Sequence, residues 1–142
     1  MFKEILLPID LGDPGSSKKA LSVAVDLCKG AAAKLHVLAV VPGMGMSIIS
    51  KYFPVDFEEK SLAGAAQQLD DYIGANIPSD IATQAIVANG TIYEEILKAA
   101  AQTGCDLIVV ASHRPALKDY LLGPNAARVV RHAACSVLVV RD

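Results

Sequence analysis

Apolar positions in this chain follow two rhythms: short unbroken runs, and longer stretches where they recur every third or fourth residue. Unbroken runs read as strands covered on both faces of a parallel sheet, and the second rhythm reads as helices with one apolar side. Ile5-Leu6-Leu7-Pro8-Ile9 opens the series, closed by Asp10 and a Gly/Pro/Ser loop. Ser16 or Ser17 caps the helix that follows, with Ala20, Val23, Ala24 and Leu27 at helical spacing and Gly30 as its stop. A second strand is expected over Leu35 to Val41, then an irregular stretch from Pro42 to Asp56 broken by Gly43, Gly45 and Pro54. Leu62, Ala66, Leu69 and Ile73 share one face of a second helix that stops at Gly74.

The third strand, Ile81 to Val87, is interrupted by Thr83 and Gln84. Thr91-Ile92-Tyr93-Glu94 has the capping-box pattern and starts a third helix, which Gly104 ends. Leu107-Ile108-Val109-Val110 and Val137-Leu138-Val139-Val140 are the last two strands. The helix between them carries Ala126, Val129, Val130 and Ala133 along one side. This alternation predicts an α/β fold: an open five-stranded parallel sheet with helices on both faces, in one domain over residues 1–142.

Composition narrows the function. The chain has 142 residues and is 53% hydrophobic, yet no apolar stretch is long enough to span a bilayer, so no membrane role is expected. Net charge is −2 and basic residues do not cluster, which argues against nucleic acid as a partner. The three cysteines, Cys28, Cys105 and Cys135, have neither zinc-ligand nor CxxC spacing. With nothing at the N-terminus resembling a signal peptide, buried inert thiols in a reducing cytoplasm are expected.

Candidate chemistry gathers where strands end. The fourth strand runs into Ala111-Ser112-His113-Arg114-Pro115, and Gly123-Pro124-Asn125 leads into the last helix. The carboxyl edge of a parallel sheet is where open α/β folds bind ligands, and helix starts offer N–H groups to anions. A nucleotide phosphate is the expected ligand. Asp10, closing the first strand, either binds ribose hydroxyls or a metal, or caps the Gly12-Asp13-Pro14 turn. Pro124 at the first helical position is a common structural choice, while Gly123 permits close backbone approach and Asn125 adds an amide. Arg114 suits phosphate oxygens by its planar donor fork. No GxSxG elbow surrounds Ser112, so Ser112, His113 and Arg114 are expected to contact a ligand rather than catalyse. His36 inside a strand and His132 at a helix C-terminus are expected to be structural.

Other phosphate-binding folds are excluded. GxGxxG and Gly-Lys-Ser/Thr are both absent, and the third strand ends Val87-Ala88-Asn89-Gly90, without a receiver's phosphorylatable aspartate.

Taken together, these residues resemble the universal stress protein family. The likeness lies in Ile5-Leu6-Leu7-Pro8-Ile9-Asp10, in Leu35-His36-Val37-Leu38-Ala39-Val40, and in the block from Val110 to Val140. It implies a Rossmann-like sheet of order 3-2-1-4-5, of the adenine nucleotide alpha hydrolase type. It also implies ATP, with Mg, as ligand, and a cytoplasmic homodimer acting in stress response or signalling. Nucleotide-binding members carry G-x2-G-x9-G-S/T. Here Ala111 and Arg114 replace the first two glycines, eight residues separate Arg114 from Gly123, and Pro124 replaces the hydroxyl residue. The shortened loop is similar to that of the bacterial F- and G-type members.

By the same resemblance, Pro8, Ile9 and Asp10 line the adenosine half of the site, with Val40 against adenine. Ala111, Ser112, His113, Arg114, Gly123, Pro124 and Asn125 surround the phosphates, bordered by Ser136 at the start of the last strand. Pro124 removes one N–H from that cradle, a loss of about 1.5–3 kcal/mol if nothing replaces it. A slow ATPase or self-phosphorylating protein, and a dimeric interaction module without nucleotide, are the competing readings. The last strand, apolar and at a sheet edge, independently predicts pairing with a second copy.

Overall fold

The computed structural model describes residues 1–42, 57–112 and 124–141. Five strands, β1 (Glu4–Ile9), β2 (Lys34–Pro42), β3 (Thr83–Gly90), β4 (Leu107–Ser112) and β5 (Ser136–Arg141), form one parallel sheet in the order β3-β2-β1-β4-β5. The helices are α1 (Lys18–Ala31), α2 (Phe57–Asn76), α3 (Ile92–Thr103) and α4 (Pro124–His132); a 3₁₀ turn, Pro14–Ser17, precedes α1.

Alternation along the central strands explains why their sequences read as unbroken apolar runs. Ile5, Leu7 and Ile9 join Leu35, Val37 and Val109 in a core under α1 and α2, where Ala20, Leu21, Ala24 and Leu69 are buried. Leu6, Leu38, Ile108 and Val110 face the other way, onto Ile96, Ala99 and Ala100 of α3 and Ala126 and Val129 of α4. Both faces are therefore covered, as a parallel sheet requires.

Element ends depart from the sequence reading in instructive ways. α2 runs past Gly74 to Asn76, because the Asn76 side chain donates to the Tyr72 carbonyl at 2.9 Å and Ile77 N–H closes on Ile73 O. That cap and the burial of Ile77 offset the roughly 1 kcal/mol cost of a helical glycine. β3 starts at Thr83 rather than Ile81, since Ile81 N–H closes a turn on Pro78 O while its side chain is buried. Thr91 is the N-cap of α3, but its side chain makes no capping bond, so the capping box is not formed. Ser17 likewise precedes α1 without a side-chain cap bond, and α1 ends at Ala31 with Ala32 in the left-handed region, φ 53°. Val130, expected on the inner side of α4, is 44% exposed.

One detail of β1 positions the site. Asp106 N–H donates to Glu4 O, whereas Lys34 N–H donates to Lys3 O, so alternate residues of β1 present their backbone groups to β4 and β2. Glu4, Leu6 and Pro8 thus face β4. Pro8 has no N–H, and the β1–β4 ladder ends at the pair Leu6↔Ile108, while the β1–β2 ladder continues to Ile9↔Ala39.

Candidate functional site

Beyond the last β1–β4 pair the strands border a cavity of about 430 Å³, within the range of small-molecule sites. It lies where the sheet order reverses, because β2 and β3 lie on one side of β1 and β4 and β5 on the other. Such switch points are the ligand crevices of open α/β sheets. Pro8 and Ile9 from β1 and Asp10 just after it, Val40 from β2, Val110 and Ala111 from β4, and Asn125 from α4 line it. Ile92 and Ile96 of α3 and Ala126 of α4 form an apolar wall, and Asp13, Ser16 and Ser17 close the side near α1.

The polar groups have distinct geometries. Asp10 Oδ1 accepts the Gly12 N–H at 2.9 Å, and Asp13 N–H donates to Asp10 O at 3.1 Å. This Asx turn fixes the carboxylate at the cavity edge and leaves Oδ2 for a ligand donor. The two readings of Asp10 are therefore compatible in one side chain. Gly12 suits the turn because a Cβ there would meet Asp10 Oδ1 at 3.2 Å. The Ser16 hydroxyl donates to Asp13 O at 2.7 Å, and Ser17 is buried. The starts of α3 and α4 also face the cavity through Ile92 and Asn125, so two helix dipoles present their positive ends. An apolar cleft with one carboxylate and helix N-termini suits a ligand with a flat apolar part, hydroxyls and an anionic end.

The structure thus brings together Pro8, Ile9, Asp10, Val40, Ala111 and Asn125 from the expected set. Ser112 ends β4 one residue beyond Ala111, half-buried, and Pro124 starts α4, exposed beside Asn125. His113, Arg114 and Gly123 lie outside the described residues, as does nearly all of the irregular Pro42-to-Asp56 stretch. Ser136 is a correction. It pairs with Leu107 at the first position of β4, whereas the cavity is at the last positions, Val110 and Ala111. In a parallel sheet a strand's first residue lies at the amino edge, so Ser136 is on the opposite side of the molecule from this site.

Sequence reading missed Asp13, Ser16, Ser17, Ile92, Ile96, Val110 and Ala126. The 3₁₀ turn folds the first three back over the strand end, and nothing in the spacing of Pro14-Gly15-Ser16-Ser17 signals that direction. Ile92 was detectable as an apolar residue at a helix start.

Several other described titratable groups lie away from this cavity. His36 is buried, its Nε2 2.9 Å from Glu4 Oε2 and its Nδ1 2.6 Å from Gln84 Oε1, bridging β1, β2 and β3 near the amino edge. His132 ends α4, where its ring meets Tyr93 at 6.4 Å. Cys28 and Cys105 are buried but Cys135 is half-buried, so not every thiol is fully inside as expected. Burial pushes the Cys28 thiol up to about 11. Among the described residues no group of three or more His, Cys, Asp or Glu could hold a metal ion, and no helix is long and apolar enough to cross a membrane.

Comparison with known proteins agrees with this architecture. The profile of the universal stress protein family matches residues 1–141. Universal stress protein G of Shigella flexneri is 32% identical over 144 residues, covering 99% of this chain and all of that protein. A universal stress protein solved in complex with cAMP superposes with a TM-score of 0.67 at 20% identity, over 99% of this chain and 97% of its own. A universal stress protein from Archaeoglobus fulgidus in complex with dAMP gives 0.58 at 14% identity, over 96% of each chain.

Proposed function

Because the chain belongs to the universal stress protein family, we propose that its carboxyl-edge cavity binds an adenine nucleotide, with ATP as the physiological form. The observation that carries this reading is the convergence of Pro8, Ile9, Asp10, Val40, Ala111 and Asn125 on one cavity at the switch point of the sheet. Val40 and the isoleucine wall offer an apolar slot for the base. Asp10 Oδ2 accepts a ribose hydroxyl, while Oδ1 stays in its turn. The phosphates lie toward Ala111, Ser112, Pro124 and Asn125 at the start of α4, where the helix dipole favours negative charge.

His113, Arg114 and Gly123 complete the phosphate end, and Arg114 supplies by side chain what Pro124 cannot supply by main chain. Magnesium is carried by the phosphates. Other universal stress proteins solved with cAMP and dAMP support an adenine ligand in this fold. Nucleotide occupancy then serves as the signal in a stress response, read out by a cytoplasmic homodimer paired through β5.

The test is direct. Purified protein is denatured and the supernatant analysed by mass spectrometry for adenine nucleotides, followed by calorimetry against ATP. Bound nucleotide, and ATP binding that Arg114→Ala weakens at least tenfold, are expected. No released nucleotide together with a flat titration would overturn the proposal and leave a nucleotide-independent interaction module.

A further inference from the structure

A second cavity, of about 160 Å³, lies at the amino edge of the sheet between the C-terminal ends of α3 and α4. Two of the three cysteines line it. Cys105 is in the turn before β4 and Cys135 in the turn before β5, and both pack into the same apolar cluster. The first pair of these parallel neighbours is Leu107↔Ser136, so the turns that carry Cys105 and Cys135 sit side by side at the amino edge. Cys28 belongs to the opposite core and is an internal control.

We propose that Cys105 and Cys135 are an oxidisable dithiol that hydrogen peroxide closes into a disulfide across the starts of β4 and β5. The roles follow from their surroundings. Cys135 is half-buried and meets the oxidant first. Cys105 is buried, with Thr103 Oγ1 3.0 Å from its sulfur; that hydroxyl donates to Ala99 O at 2.7 Å, so it accepts the Cys105 S–H. Cys135 thiolate attacks one peroxide oxygen, the O–O bond breaks, and the departing hydroxide takes up a proton to leave as water. The product on Cys135 is a sulfenic acid. The Cys105 sulfur then attacks the Cys135 sulfur, the S–O bond breaks, and the leaving oxygen takes the Cys105 proton to depart as a second water. Two thiols lose two electrons and two protons, and the peroxide accepts both.

Burial raises both thiols above their ordinary value of 9.0, with Asp106 adding to the shift at each. Since the thiolate is the nucleophile, closure accelerates steadily from neutral to alkaline pH.

Wild-type protein treated with hydrogen peroxide, alkylated and digested without reduction tests the assignment. Expected is a peptide containing Cys105 linked to one containing Cys135, lighter than their sum by two hydrogens, with Cys28 alkylated. In Cys105→Ser, a dione probe should trap Cys135 as the sulfenic acid. Full alkylation of all three thiols after peroxide would overturn the proposal. So would a Cys135–Cys135 link between two copies, or a sulfinic acid on wild-type Cys135 with Cys105 still a thiol.

Discussion

Asp10 follows the last residue of β1 and starts a turn with its carboxylate. Replacing it by alanine removes both the bond to Gly12 N–H and the acceptor for the ligand. Losing one or two bonds to a charged group costs about 1.5–3 kcal/mol, so Asp10→Ala is expected to weaken ATP binding roughly ten- to hundredfold by calorimetry. Asp10→Asn, which keeps the turn oxygen, should fall between the two. Asp106 has a purely structural version of this role. Its carboxylate accepts Lys3 N–H at 2.9 Å and Glu4 N–H at 3.1 Å, tying the start of β1 to that of β4. Burial works against its charge, but these backbone donors outweigh it and hold the carboxyl below its ordinary value of 3.8. A carboxyl lowered in the folded state stabilises above its unfolded pKa and loses that contribution as pH falls through the folded one. Asp106→Asn is therefore expected to destabilise by about 1 kcal/mol at neutral pH and by progressively less in acid, read from urea unfolding at each pH. Of these residues, Asp10 was legible because it closes an apolar run. Asp106 was not, since nothing local reveals a bond spanning a hundred positions of sequence.

Helix and strand identity was legible in the periodicities, while the ends were decided by single contacts. Gly74 reads as a stop, yet Asn76 caps the helix two residues later. Gly104 stops α3 as expected, at φ 67°. Gly30 does not stop α1: Ala32 takes the left-handed position instead, exposed and with φ 53°. An alanine in that region carries a penalty of about 1 kcal/mol that glycine avoids, so Ala32→Gly is expected to stabilise the protein by about 0.5–1 kcal/mol in thermal melts. Gly30→Ala, inside the helix and with nothing near an added Cβ, should stabilise by a similar amount for the opposite reason, helix propensity.

For the molecule as a whole, the five parallel strands and their two covered faces follow from the βα alternation, but their order does not, because alternation alone fits several sheets. The resemblance supplied the order, and the ladders agree with it. It also misplaced Ser136, because a strand's first residue lies at the amino edge. That order leaves β5 at an edge with Leu138 38% exposed. If β5 pairs with its copy, a charge at this position opposes assembly: Leu138→Lys is expected to shift the mass in light scattering from two chains to one. An unchanged mass would place the interface elsewhere.

The imino ring at position 8 bears on how a ligand enters. Its backbone groups face β4, and the donor that would continue the ladder there is missing from the covalent structure. The crack between the central strands is thus present before anything binds. If a nucleotide binds there as proposed, it need displace no β1–β4 ladder bond, because the ladder has already ended at Leu6↔Ile108.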